Sequence, residues 1–171
     1  MTQLGPTPAT AEQLAPLFEG APRFLGRLEA AGPFDDAATL FEAAREIAHS
    51  MPTEEQIELI DAHPRLGAPP ASVSVLSFRE QGYDRDGEAE RIAEAERLHI
   101  AAELERLNAA YEARFGFRYC VFVAGRPRIA LLPGMTAALE ADEVTERHRA
   151  LDAVVDIAID RHAKLSAEAH A

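Results

Sequence analysis

Residues Ile100–Gly116, IAAELERLNAAYEARFG, decide the fold. Ile100, Leu104, Leu107, Tyr111 and Phe115 recur at steps of three and four, the stripe of an amphipathic helix, and Gly116 ends it. The same Ala- and Glu-rich texture carries the helix back to about Glu88. Outward from this helix the chain repeats the pattern. Thr10 with Gln13 forms a capping box, and Gly20 closes a first helix. Pro22 opens a second and Gly32 ends it. Asp35 or Asp36 caps a third, with Leu40, Phe41, Ala44, Ile47 and Ala48 on one face. Thr53 with Gln56 reads as a further capping box, and Pro64 stops that helix near His63.

Residues 64–76 are the least helical stretch, an irregular loop that delivers a short helical turn at Ser77–Gln81. Gly82–Gly87 is polar and turn-like. Downstream of Gly116, the run Tyr119–Val123 is apolar and rich in β-formers, and is expected to be extended and buried. Pro133 and Gly134 are expected to break the chain before a short helix at Met135–Leu139. A last helix runs from Asp142 to Leu165, with Val144, His148, Leu151, Val155, Ala158, His162 and Leu165 on one face. The fold class is therefore all-α: a single compact domain of about seven helices with an irregular central loop. Residues 1–9 form a flexible lead-in, 10–166 the helical domain and 167–171 a tail.

Composition narrows the function. The 171 residues are 47% apolar and 27% charged, an ordinary globular mixture. Seventeen basic against 29 acidic residues leave a net charge of −12. That balance excludes a general grip on nucleic acid or adsorption to an anionic membrane. The lone Cys120 excludes an intrachain disulfide and fits a reducing, cytoplasmic setting. The longest uncharged run, Leu66–Phe78, is too short to span a bilayer and holds Pro69 and Pro70. The opening MTQLGPTPAT lacks the basic and apolar regions of a signal peptide.

Several residues carry chemistry. His63, at a helix C-terminus and fixed by Pro64, is either a proton carrier on a stiff elbow or a cap on the last carbonyls. The helix macrodipole there favours the imidazolium. Ser77, Glu80 and Gln81 share a face and offer a hydroxyl, a carboxylate and an amide to a planar urea or imide. Alternatively, Ser77 is an N-cap with Glu80 completing its box. Arg161 is suited to a substrate carboxylate or to a structural ion pair with Asp156, Asp160 or another chain. Asn108 can satisfy buried backbone groups. His99, His148, His162 and His170 lack metal-site spacing, and no phosphate loop or serine elbow is present.

Together these blocks carry a resemblance. Ala62-His63-Pro64-Arg65-Leu66-Gly67, Ser77-x-x-Glu80-Gln81 and Leu107-Asn108-x-x-Tyr111-x-x-x-Phe115-Gly116-Phe117 resemble the 2-oxo-4-hydroxy-4-carboxy-5-ureidoimidazoline (OHCU) decarboxylases of urate breakdown. Glu146, Ala150, Leu151, Val154, Ile157 and Arg161 keep the rhythm of that family's last helix. The chain departs from the pattern at Arg65, where Asp or Glu commonly follows His-Pro.

The resemblance implies an all-α homodimer without metal or organic cofactor that decarboxylates OHCU, a small ureido anion, to S-allantoin. By the same resemblance His63 and Glu80 are catalytic, and Pro64, Ser77, Gln81, Tyr119, Val121, Val123 and Arg161 are substrate contacts. His63 is assigned to proton transfer and Glu80 to its assistance. The alternatives are a helical binding module of the same shape without activity, and a decarboxylase of a related ureido acid.

Overall fold

The computed structural model describes residues 7, 10–82 and 94–171. Among them are eight α-helices and one 3₁₀ turn, and no strand. The helices are α1 (Ala11–Phe18), α2 (Pro22–Ala31), α3 (Ala37–Ser50), α4 (Thr53–Asp61), α5 (Val75–Glu80), α6 (Glu94–Phe115), α7 (Arg128–Ala138) and α8 (Glu143–Ala169). The all-α expectation holds, with one helix more than foreseen. No described helix is long and apolar enough to cross a membrane. The lead-in, the Tyr83–Gly87 turn and the start of the long helix lie outside the described residues, apart from Thr7.

The chain divides into two compact units, residues 1–63 with 147–171, and residues 64–146. In the first unit, α1 to α4 pack in sequence order. Thr10 and Gln13 close the capping box of α1, and the Asp36 carboxylate caps α3 at the Thr39 N–H (2.7 Å). Leu14, Phe18, Leu28, Leu40, Ala44, Leu59 and Ile60 are fully buried here, as are Leu151, Val154 and Ala158 of α8. Arg45 ties α3 to α8 through Asp152 (2.7 Å) and Asp156 (2.8 Å). Buried Arg147 donates to Gln56 Oε1 at 2.9 Å and links α4 to α8.

Two expectations change in this unit. Pro52, not Thr53, precedes the first turn of α4 as its cap. Gln56 is not spent on a capping box, because its amide donates to the carbonyls of Ala48 (3.0 Å) and His49 (3.1 Å). Along α8, Leu151, Val155, Ala158 and His162 are buried as expected, whereas Val144, His148 and Leu165 are exposed. The buried stripe also takes in Ala150, Val154, Ile157 and Arg161. A helix buried over most of its circumference cannot show a clean one-sided stripe. α8 also runs on to Ala169, through most of the expected tail.

The second unit is organised on α6, with α7 packed against it. The expected stripe of α6 is buried in full, with Asn108 added. Tyr111 is surrounded by Phe115, Phe117 and Tyr119 at centroid distances of 4.7, 5.7 and 5.2 Å. Its phenol donates to the buried Glu146 carboxylate at 2.6 Å. The break expected at Pro133 does not occur, since α7 runs through it. Proline removes one ladder bond, at a cost of about 3 kcal/mol. Burial of Leu131, Met135 and Ala138 along one face outweighs that loss. Residues 118–123 have no regular secondary structure and form no strand.

Two glycines test this account in opposite directions. Gly67 has φ +81°, and an added Cβ would lie 3.1 Å from Leu104 Cδ1. Gly67→Ala is expected to destabilise the protein by about 1–2 kcal/mol. Gly26, inside α2, has open space where a Cβ would stand. Gly26→Ala is expected to stabilise by roughly 0.5–1 kcal/mol. Urea melts of the two variants read both signs directly.

Candidate active site

His63 follows the last turn of α4, with its N–H on the Ile60 carbonyl (3.1 Å). Its side chain is 5% exposed. Nδ1 lies 3.4 Å from the Leu59 carbonyl, which can only accept. The proton therefore sits on Nδ1, and Nε2 carries the lone pair. The capping role foreseen for His63 and a role as proton acceptor are thus compatible, because they use different nitrogens. Burial pushes the His63 pKa down to about 4, and the Arg161 guanidinium adds to the shift. Desolvation and a nearby cation override the macrodipole, which favours the imidazolium by at most about 1–2 kcal/mol. The ring is neutral at pH 7.

Arg161 is 1% exposed, on the buried stripe of α8. Its guanidinium donates to Glu19 Oε1 (2.9 Å) and to the carbonyls of Pro16 (3.0 Å) and Leu17 (3.4 Å). These carbonyls end α1, where no intrahelical partner exists for them. The ion pair foreseen for Arg161 therefore exists, but with Glu19. Asp156 faces Arg45, and Asp160 pairs with Lys164 one turn on. Glu19 is held in the left-handed region, φ 56°, a conformation costing a non-glycine residue roughly 1–2 kcal/mol. Sequence reading missed Glu19, and nothing local marks it, since its partner is 142 residues away.

The second unit holds Pro64, Ser77, Glu80, Gln81, Tyr119, Val121 and Val123. Ser74, not Ser77, caps α5, its hydroxyl accepting from the Ser77 N–H at 3.1 Å. The capping alternative for Ser77 falls, and its side chain is buried inside the helix. The Gln81 N–H bonds the Ser77 carbonyl (2.9 Å), so helical register persists to Gln81. Ser77 and Gln81 are buried and Glu80 is half-buried, while Arg79 between them is exposed. The shared face is real. Gln81 also reaches back to the loop, accepting from the Gly67 N–H (2.7 Å) and donating to the Arg65 carbonyl (3.2 Å).

In the irregular segment 118–123, Tyr119 and Val123 are buried and Val121 is half-buried. Arg126 takes up the carbonyls of Phe122 (2.6 Å) and Val123 (2.9 Å). The Val121 peptide groups pair with nothing among the described residues. Among those residues no cluster of three or more His, Cys, Asp or Glu could hold a metal ion. An apolar groove between α3 and α8, lined by Phe41, Ile159 and His162 among others, contains none of the expected site residues.

The model of the OHCU decarboxylase family matches residues 5–163. A 2-oxo-4-hydroxy-4-carboxy-5-ureidoimidazoline decarboxylase of Haloferax volcanii is 28% identical over 83% of this chain and 80% of its own. The uric acid degradation bifunctional protein PucL of Bacillus subtilis is 30% identical over 95% of this chain. The chain spans about a third of that protein's length (31%). In fold, the chain is similar to an OHCU decarboxylase crystallised in the presence of (S)-allantoin. That match has a TM-score of 0.69 and 22% identity, and covers 91% of this chain and 98% of the other. An (S)-allantoin synthase gives a TM-score of 0.64 at 18% identity, over 90% of this chain and 48% of its own.

The depressed pKa of His63 makes stability depend on pH. The unfolded imidazole takes up a proton near its ordinary value of 6.5, and the folded one only near 4. Acid therefore favours the unfolded chain across that interval. The His63 contribution is fully present above pH 6.5 and is lost as pH falls toward 4. His63→Gln is expected to flatten the fall of Tm over this range. An unchanged slope in the variant would show that the ring does not titrate as described.

Proposed function

The chain belongs to the OHCU decarboxylase family, and from that premise we propose that it converts OHCU to S-allantoin, with His63 as proton acceptor and Glu80 assisting. The observation that carries this reading is the buried, neutral His63, whose Nδ1 faces the Leu59 carbonyl and leaves Nε2 to accept a proton. OHCU bears a hydroxyl and a carboxylate on one ring carbon and the ureido group on the next. The substrate anion and one proton give neutral allantoin and carbon dioxide.

The bond to the carboxylate breaks and carbon dioxide leaves, its electron pair forming a C=C bond to the ureido-bearing carbon while the adjoining ring C=N takes up one proton at nitrogen. Nε2 of His63 then takes the hydroxyl proton as that C–O becomes a carbonyl. The carbon bearing the ureido group gains a proton on one face, which sets the product's hand. Glu80 holds the hydroxyl for transfer, and Arg161 sets positive charge against the anion. Pro64, Ser77 and Gln81 contact the ring and ureido group. Tyr119, Val121 and Val123 do so through their backbone, a role supported by the unpaired peptide groups of Val121. These are tasks of positioning and electrostatics, which suit a reaction that spreads charge within its own substrate. The resemblance alone supports a cytoplasmic homodimer, and light scattering in solution measures the assembly.

The test uses OHCU made fresh from urate by uricase and hydroxyisourate hydrolase, with allantoin followed by circular dichroism. Rapid formation of one enantiomer is expected. His63→Gln and Glu80→Gln, still folded, should each lower kcat by about 100- to 10,000-fold. Racemic product at the uncatalysed rate from folded wild-type protein refutes the reading.

A further inference from the structure

The three residues after Pro64 are gripped one by one from elsewhere in the second unit. The Arg65 carbonyl accepts from Gln81 Nε2 (3.2 Å), and the Gly67 N–H donates to Gln81 Oε1 (2.7 Å). Between them, the Leu66 carbonyl accepts from Asn108 Nδ2 at 2.9 Å. Asn108 is 2% exposed. Its neighbours one turn away on α6 hold the same turn. Leu104 packs against Gly67, and Glu112 pairs with Arg65 at 2.8 Å. Leu104, Asn108 and Glu112 stand at i, i+4 and i+8, so one face of α6 receives the whole turn.

The amide of Asn108 is an uneconomical way to hold a turn for stability alone. Its Oδ1 is buried and bonds to nothing among the described residues. A buried acceptor without a partner is a liability that native proteins tolerate for a reason. Flipping the amide gives no relief, since two carbonyl oxygens would then face each other. What the Nδ2 bond secures is the turn, which leads directly from Pro64. Gln81, with both amide atoms on this turn, moves whenever the turn moves.

We propose that Asn108 is a positioning residue for the decarboxylation, acting through the Arg65–Gly67 turn that it shares with Gln81 to fix Pro64 and the end of α5. The inference rests on the reading of function above and adds a residue to it. Asn108→Asp tests it. The carboxylate keeps the shape but cannot donate to the Leu66 carbonyl. The variant is expected to melt cooperatively, to lose kcat by about 100-fold with a smaller change in KM, and to exchange the Gly67 amide hydrogen faster than wild type. Wild-type kcat in the folded variant overturns the inference, as does unchanged Gly67 exchange. Should Asn108→Asp fail to fold, Asn108→Ser replaces it with a shorter donor and must show a partial loss of kcat. Full activity there overturns the inference as well. An inert wild type would refute the decarboxylase reading itself, whereas an active wild type with an equally active Asn108→Asp would refute only this step.

Discussion

A guanidinium cannot shed its charge, so burying Arg161 obliges the fold around it to supply partners. The first unit answers with one carboxylate and two carbonyls, all from the end of α1. Three consequences follow from this arrangement. The end of α1 is capped by a distant side chain instead of by its own residues. Glu19 is held in a left-handed conformation that a free chain would avoid. The imidazole of His63, kept neutral chiefly by its own burial, feels the cation as well. Removing either partner of such a pair strands the other charge, which is why buried pairs are costly to break even when they add little net stability.

The second unit solves its own problem with neutral groups. Two amides and a glycine fasten the turn after Pro64, and charge enters only at its rim. There Arg65 meets Glu112 and Glu105. Arg65, where the sequence departs from the pattern it resembles, is thus matched by two carboxylates on the adjacent face of α6.

Local signals in the sequence were read correctly where a local interaction governs. The capping box of Thr10, the cap at Asp36 and the stripe from Ile100 to Phe115 each depend on residues within a few positions of one another. The reading failed where a tertiary partner competed. Gln56 suits a capping box, but a buried arginine and two carbonyls claimed it. Pro133 suits a break, but the apolar face of α7 held the helix together. The candidate site divides in the same way. Ser77, Glu80 and Gln81 were legible as one face of a short helix because four residues suffice to define it. The grip of Gln81 and Asn108 on the 65–67 turn was not, because periodicity carries no information about which distant backbone an amide will meet.

The chain has no tryptophan, and its three tyrosines, Tyr83, Tyr111 and Tyr119, all fall within residues 64–146. Two of them stack edge to face, and one is hydrogen-bonded to a buried carboxylate. Rigid, asymmetric packing of this kind gives phenols a strong near-ultraviolet optical activity. A carboxylate acceptor also quenches their emission. The tyrosine signal of this protein is therefore a built-in reporter on one unit alone, whereas far-ultraviolet ellipticity sums the helices of both. The order in which the two signals vanish on heating separates loosening of the 64–146 unit from collapse of the whole without any added label.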